Sequence, residues 1–232
     1  MKRIPSNARP LAVKVKTAKG RKISSTKWLQ RQLNDPYVLK AKSIGYKSRA
    51  AFKLIEIDER FNLLKSGMTV IDLGCSPGGW SQVALEKVCS KDKKNALNSL
   101  GRVIGIDQNE PEAIPGLEFY KIDFLDIDPI DLIDKLKINN VDIVLSDMAS
   151  SSSGHKKTDH LRIMALCESA AFFADHVLKR GGVFVAKVLS GGAEPELQKL
   201  LKIKFEKVIN FKPPASRKDS SEKYVVAIGF RA

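Results

Sequence analysis

The sequence is poor in the residues that build covalent or metal-bound frameworks. Its three cysteines, Cys75, Cys89 and Cys167, are widely spaced and form no C-x-x-C pair. This spacing argues against a disulfide scaffold and predicts reduced thiols in a cytosol-like compartment. The three histidines, His155, His160 and His176, have no C-x2–4-C pair to complete a zinc-ligand pattern. We therefore predict neither a disulfide framework nor a metal site.

Long hydrophobic runs are also missing. No uncharged apolar stretch approaches the roughly 18–20 residues of a membrane-spanning helix, and no secretory signal pattern is present. A hydrophobic fraction of 43% over 232 residues is ordinary for a globular protein and allows one sizeable core. We expect a bacterial-type cytoplasmic protein that does not contact membranes. We also expect a monomer, because no dimerisation signal is visible.

Acidic residues are almost absent from the first quarter of the chain. Residues 1–53 contain fifteen Lys or Arg and a single acid, Asp35, so the formal net charge of +14 lies entirely there. An asymmetry this complete predicts an electrostatic docking arm for a polyanion such as nucleic acid. A mitochondrial presequence is only a minor alternative. The stretch is Lys-rich, contains prolines and lacks an amphipathic pattern, and these features are not typical of a presequence. We predict residues 1–26 as a basic arm that is disordered or ordered only on binding, and residues 27–232 as one domain.

Beyond the arm, strand and helix patterns alternate. Such alternation predicts a mostly parallel α/β sheet with helices on both faces, and the short loop before the last strand predicts that this strand is antiparallel. The predicted strands are residues 68–73, 102–107, 117–122, 141–147, 183–188, 205–211 and 224–230. The predicted helices are residues 27–33 (ended by residues 34–36), 48–61 (capped by Ser48), 80–88, 129–136, 158–178 (ended by residues 179–182) and 194–203.

Residues 68–80, MTVIDLGCSPGGW, are the stretch around which the other patterns are arranged. An apolar strand runs into a turn rich in glycine, and a helix pattern resumes at Trp80. Without side chains in the turn, backbone N–H groups can face a ligand closely, especially around Gly78 and Trp80.

Acids follow or end four of the predicted strands, at Asp72, Asp107, Asp123 and Asp147. Ligands of such sheets bind beyond the carboxyl ends of the strands, where Asp107 is placed to accept hydrogen bonds from ribose hydroxyls and Asp123 to contact an adenine amino group. The G-x-G-x-x-G pattern of a dinucleotide site is missing, and acids would repel a pyrophosphate. A cationic ligand, S-adenosylmethionine, suits them better than a nicotinamide dinucleotide. The antiparallel last strand is likewise typical of the Rossmann-like class I methyltransferases.

From about residue 28 to residue 230 the chain resembles the FtsJ-type ribosomal-RNA 2′-O-methyltransferases, which modify a uridine in large-subunit RNA. The motifs that carry the resemblance are WLQRQLNDPYV, KSRAAFKLIEI, GMTVIDLGCSPGGWSQ, SDMA, VAKV and SEKYVVA. The resemblance implies a catalytic set at Lys53, Asp147, Lys187 and Glu222, and cofactor contacts at Gly78, Trp80, Asp107, Asp123 and Asp147. The chain departs from the family pattern at Ser150, where a proline is usual, and at Cys75, which is often Ala.

A ribose 2′-hydroxyl is a weak nucleophile, so the residues that the resemblance implies must position it and help it to lose its proton. Lys187 either accepts the hydroxyl proton as a base or, remaining charged, steers the oxygen lone pair; the residues alone leave both roles open. We expect Asp147 to orient Lys187 and favour the sulfonium, while Lys53 and Glu222 position the ribose and phosphate. The functional case for Lys53 and Glu222 depends mainly on the resemblance.

The function expected from these residues is S-adenosylmethionine-dependent 2′-O-methylation of a uridine in 23S-type ribosomal RNA, on the assembled large subunit. Alternatives are the same reaction on transfer RNA or a messenger cap, and a non-catalytic RNA-binding factor in ribosome assembly. A non-catalytic scaffold would be expected to lose Lys187 and Asp147, and both are present.

Overall fold

The computed structural model describes residues 13–17, 19–89, 101–149, 154–189 and 194–232. Ser150 and residues 1–12 of the predicted arm lie outside these ranges. The strands are β1 Thr69–Leu73, β2 Arg102–Asp107, β3 Leu117–Lys121, β4 Val141–Ser146, β5 Leu178–Leu189, β6 Phe205–Phe211 and β7 Glu222–Phe230. The helices are α1 Ile23–Leu33, α2 Pro36–Ile44, α3 Ala51–Phe61, α4 Gly79–Val88, α5 Pro129–Leu136, α6 Lys156–Val177 and α7 Glu194–Lys204.

One seven-stranded sheet runs through the described residues in the order β3-β2-β1-β4-β5-β7-β6. β1 to β5 are parallel, and β7 is antiparallel to both β5 and β6. The predicted Rossmann-like sheet with an antiparallel last strand is therefore confirmed. The strand order reverses between β1 and β4, which opens a crevice at the carboxyl ends of these two strands.

Apolar cores cover both faces of the sheet. In β1, Val70 packs with α3 and α4 on one face, whereas Ile71 packs with α5, α6 and α7 on the other. Both side chains are fully buried, and burial of such a side chain contributes roughly 1.5–3 kcal/mol. This alternation holds the carboxyl ends of β1 and β4 at fixed positions. None of the helices in the described part of the chain has the length and apolarity needed to span a bilayer.

The N-terminal helices differ from the prediction. α1 begins at Ile23, so residues 23–26, predicted as part of the arm, are helical. The sequence patterns do not predict α2, because Asn-Asp-Pro is typical of a helix stop. Instead, Asp35 caps α2 by accepting a hydrogen bond from the Tyr37 N–H, and Pro36 occupies its first turn, where a missing N–H carries no penalty.

Two further predicted bounds are wrong. Ser48 does not cap α3, which begins at Ala51 after Ala50 without a side-chain cap. Residues 179–182, predicted to end the long helix, belong instead to β5, which begins at Leu178 directly after α6. The cysteines are free thiols, as predicted.

A short part of the predicted arm is held against α1. The Val13 N–H donates to Asn34 Oδ1 at 2.8 Å, and the Val15 N–H donates to Gln30 Oε1 at 3.0 Å. Side-chain amides can satisfy an extended backbone in this way without a sheet partner. Residues 13–17 therefore lie against α1 in the structure, and the arm over residues 1–26 stays a prediction.

Candidate active site

Asp147 and Lys187 meet at the centre of the sheet. Asp147 directly follows β4 and Lys187 lies in β5, and the register of these strands places Ser146 beside Ala186. Lys187 Nζ lies 2.8 Å from Asp147 Oδ1 and donates to the Asp147 backbone oxygen at 2.7 Å. The Lys187 side chain is only 7% exposed, so this pairing compensates for the burial of its charge.

Lys53 and Glu222 complete the cluster from other elements. Lys53, on α3, places Nζ 2.9 Å from Glu222 Oε1 and 3.7 Å from Asp147 Oδ2. Glu222 begins β7 and also accepts a hydrogen bond from Ser216 Oγ at 2.9 Å. The four residues predicted as catalytic thus form one continuous chain of ion pairs, although they lie far apart in sequence.

Tyr224 belongs to the same cluster and was missed in the sequence. Its hydroxyl donates to Asp147 Oδ1 at 2.7 Å, and its ring packs 5.4 Å from that of Trp80. Lys53 Nζ lies 5.6 Å from the centre of the Tyr224 ring, within the range of a cation–π contact. A tyrosine in a buried strand needs a partner for its hydroxyl, and this requirement was the available signal.

The cluster keeps Asp147 ionised. Burial alone raises the pKa of Asp147, but the positive charges of Lys187 and Lys53 and the hydrogen bonds from Lys187 and Tyr224 outweigh burial and bring the pKa to about 2. Burial and the negative charges of Asp147 and Glu222 raise the pKa of Tyr224 well above its usual value. Tyr224 therefore remains a neutral hydrogen-bond donor at physiological pH.

A cavity of about 350 Å³ opens at the carboxyl ends of β1, β2 and β4. Three of the four predicted acids line it: Asp107, Asp123 and Asp147. Gly74 and Met148 also line it, and a Cβ at Gly74 would come within 2.5 Å of Met148 Cγ. The predicted ligand site at this edge therefore exists as a concave, acid-lined space.

Backbone N–H groups fix two of these carboxylates. Asp107 Oδ2 accepts from the Ser76 N–H at 3.0 Å, and Oδ1 accepts from the Asn109 N–H at 2.7 Å. Asp123 Oδ1 accepts from the Leu125 N–H at 3.1 Å. Each carboxylate oxygen can accept more than one hydrogen bond. Both acids thus have acceptor capacity for hydroxyl or amino groups of a ligand.

Gly78 and Trp80 do not line this cavity. Gly78 has φ +112°, and a Cβ there would lie 2.1 Å from Ile114 Cδ1. The Trp80 side chain is 2% exposed and donates from its indole N–H to the Ala50 oxygen at 2.9 Å. Its side chain is therefore part of the core, and any contact with a ligand would come from its backbone.

Asp72 lies beneath the glycine turn rather than at the cavity. It is fully buried, and its Oδ2 accepts from Ser81 Oγ at 2.6 Å. Burial raises the pKa of Asp72 to about 7, because the hydrogen bond from Ser81 offsets only part of the effect. Asp72, the fourth of the predicted acids, therefore does not line the cavity.

Comparison with known proteins places the chain in a family. The FtsJ-like methyltransferase family matches residues 46–230, which include the cluster and the cavity. The chain belongs to this family. As an FtsJ-like methyltransferase it needs a methyl donor and an acceptor. Among the described residues, no group of three or more His, Cys, Asp or Glu could hold a metal ion.

Relatives of this FtsJ-like methyltransferase match it over nearly its full length. A protein of Ruegeria pomeroyi is 60% identical over 96% of the chain and 95% of its own length. One of Parvibaculum lavamentivorans is 55% identical over 97% and 89%. Both are named ribosomal RNA large subunit methyltransferase E. A crystal structure of a ribosomal RNA methyltransferase from Plasmodium falciparum is 32% identical, with a TM-score of 0.65 over 80% of this chain and 98% of that one.

Proposed function

We propose that this protein transfers a methyl group from S-adenosylmethionine to the ribose 2′-hydroxyl of a uridine in large-subunit (23S-type) ribosomal RNA. The reaction takes place on the assembled large subunit in the bacterial cytoplasm. The observation that carries the proposal is the position of Asp147. This carboxylate lines the acid-rich cavity and also contacts both lysines of the cluster, so a donor in the cavity lies next to an acceptor at the cluster.

The chemistry of the cavity fits S-adenosylmethionine. Asp107 suits the ribose hydroxyls, Asp123 suits the adenine amino group, and the carboxylates together suit a ligand with a sulfonium and an ammonium group. Gly78 and Trp80 lie outside the lining of the cavity, so their contacts with the donor stay a prediction. When bound, the donor supplies a methyl group on a positively charged sulfur, which is open to attack by an oxygen in line with it.

The cluster supports a role for Lys187 as a cation. Lys187 Nζ lies 2.8 Å from Asp147, whose pKa is lowered to about 2, so the lysine faces a carboxylate that is ionised at physiological pH. An ammonium group turns a lone pair of the 2′-hydroxyl toward the methyl group and stabilises negative charge that develops on the oxygen. Asp147 orients Lys187, and Lys53 and Glu222 hold the ribose.

Two observations support ribosomal RNA as the substrate: the names of the relatives and the net charge of the chain. Relatives that match this chain over nearly its full length are named ribosomal RNA large subunit methyltransferase E. The formal net charge of +14 suits a polyanionic particle. The choice of uridine follows from the family resemblance.

The proposal is tested by incubating the protein and labelled S-adenosylmethionine with three substrates: large ribosomal subunits that lack the modification, protein-free ribosomal RNA, and transfer RNA. We expect label on one uridine ribose of the large-subunit RNA, with assembled subunits preferred. Lys187→Ala is the inactive control. Label on transfer RNA alone would contradict the proposed substrate.

Asp107→Ala tests the cofactor site separately. It removes a charged acceptor of two ribose hydrogen bonds, so we expect the dissociation constant of S-adenosylmethionine to rise about tenfold or more. Isothermal titration calorimetry measures it without RNA. An unchanged dissociation constant would refute the role given to this acid.

A further inference from the structure

A second cavity of about 400 Å³ adjoins the cluster at Lys53 and Glu222. Its wall is formed by α1, the start of α3 and the connection between β6 and β7. Three arginines line it, Arg31, Arg49 and Arg217. This second cavity shares no lining residue with the acid-lined cavity at β1, β2 and β4. It is lined in part by Lys53 and Glu222, the residues proposed to hold the acceptor ribose.

The arginines carry more positive charge than the nearby acids offset. A single carboxylate, Asp35, is shared by Arg49 Nη1 at 2.7 Å and Arg217 Nη2 at 3.4 Å. Arg31 has only a loose contact, 3.9 Å from Asp219, and its side chain is 55% exposed. Two guanidinium groups that share one carboxylate leave a net positive charge at the cavity.

Donors at this cavity also lack acceptors. The Nε atoms of Arg49 and Arg217 are buried and have no hydrogen-bond partner among the residues that the structure describes. A buried donor without an acceptor is unfavourable, and a guanidinium offers several donors in a planar arrangement that matches phosphate oxygens. The cavity therefore has the charge for a phosphate group, and Arg31, which is 55% exposed and lies 3.9 Å from Asp219, offers accessible donors.

We propose that this cavity binds the phosphodiester on the 3′ side of the target nucleotide, through Arg31, Arg49 and Arg217. The inference rests on the proposed function, because it takes the ribose to lie at the cluster. Of the two phosphates that flank a nucleotide, the one on O3′ is separated from the 2′-hydroxyl by fewer bonds. Lys53 and Glu222 line this cavity and pair with each other, and Lys53 also contacts Asp147, so the 3′ phosphate is the one within reach.

Arg217→Ala and Arg31→Ala test this assignment on large subunits. A phosphate contact that forms equally in the bound and transition states affects KM and leaves kcat unchanged. We expect the KM for subunits to rise about tenfold for Arg217→Ala, the loss of one charge-assisted hydrogen bond, and severalfold for Arg31→Ala. The slope of log affinity against log salt concentration should fall by about 0.7–0.9 for each phosphate contact that a variant removes.

Arg180→Ala is the matched control, because Arg180 is exposed at the opposite end of β5 from Lys187. It should leave KM and the salt slope nearly unchanged. Unaltered S-adenosylmethionine binding shows that a variant is folded. Arg31 is half exposed, so its replacement should not disturb the cluster. If neither arginine variant changes KM or the salt slope, or if Arg180→Ala changes them equally, the proposal is wrong.

A second measurement tests the 3′ assignment without catalysis. Binding of uridine 3′-monophosphate and uridine 5′-monophosphate is compared by NMR titration of the wild type and Arg217→Ala. We expect the wild type to prefer the 3′-phosphate, and Arg217→Ala to lose this preference. Absence of a preference in the wild type overturns the assignment. Failure of methyl transfer to large-subunit RNA with this preference intact would instead refute only the proposed function.

Discussion

At the scale of single residues, Asp147 determines the electrostatics of the site. It contacts Lys187, Lys53 and Tyr224, and the two cations keep it ionised in spite of its burial. Removal of any one partner would leave a buried charge less compensated, which is costly in a low-dielectric site. The cluster is therefore expected to act as a unit, with non-additive effects of double substitutions.

The charged role of Lys187 predicts the pH dependence of methyl transfer. If Lys187 acts as a cation and not as a base, kcat should not rise with pH across the neutral range. A lysine that acts as a base would instead give a kcat that rises with pH. Lys187→Ala should lose at least about a hundredfold in kcat while keeping cofactor affinity. A kcat that rises steadily with pH would refute the charged role.

The raised pKa of Asp72 predicts that the free energy of unfolding also depends on pH. Its pKa is about 7 in the folded protein and about 3.9 in an unfolded chain. The folded state therefore binds more protons between these values, so the free energy of unfolding should fall as pH rises from about 4 to about 7, by up to about 4 kcal/mol. Above this window the contribution is lost and the curve is flat.

Asp72→Asn removes this titration and keeps an acceptor for Ser81. Urea unfolding from pH 5 to pH 8 should show the wild type losing stability relative to Asp72→Asn as the pH rises. Ser81→Ala removes the hydrogen bond that lowers the pKa of Asp72, and should extend the loss to higher pH. Parallel stability curves for the wild type and Asp72→Asn would rule out a raised pKa.

At the scale of elements, Asp35 both caps α2 and joins it to the rest of the protein. The carboxylate accepts the Tyr37 N–H and pairs with Arg49 and Arg217. Asp128 is a matched control, because it caps α5 in the same way, with a proline after it, and is exposed.

Asp128→Ala should lower the free energy of unfolding by about 1 kcal/mol, the usual cost of a lost cap. Asp35→Ala should cost about 3–5 kcal/mol, since two largely buried arginines lose their partner. Asp35→Asn keeps the cap and separates the two contributions. Equal losses in chemical denaturation for Asp35→Ala and Asp128→Ala would show that the arginine pairs do not stabilise the fold.

The helices and strands show where prediction from sequence succeeds and where it fails. β2, α5 and β6 have the predicted bounds, because apolar periodicity and strong flanking signals agree there. α2 was missed because Asp-Pro marks a helix start as well as a stop, and only tertiary contacts decide between them. The cluster of Lys53, Asp147, Lys187 and Glu222 could be named from motifs, but Tyr224 and the arginine cavity could not. Their roles depend on which side chains meet across β5, β7 and α1.

At the scale of the whole molecule, the basic N-terminal quarter divides into parts with different roles. α1 supplies Arg31 to the second cavity, and Val13 and Val15 are held on α1 by Gln30 and Asn34. A truncation at residue 26 would therefore remove contacts and the first turn of α1 along with charge. A truncation at residue 12 removes Lys2, Arg3 and Arg9 and keeps the described contacts.

Deletion of residues 1–12 should weaken binding to large ribosomal subunits without lowering the thermal midpoint. Removal of these three cations should reduce the slope of log affinity against log salt concentration by up to about 2–3 units, at about 0.7–0.9 per phosphate contact. A full-length variant with the same three cations replaced by glutamine separates charge from length, and should match the deletion. If the deletion lowers affinity with an unchanged salt slope, the segment contributes something other than electrostatic docking.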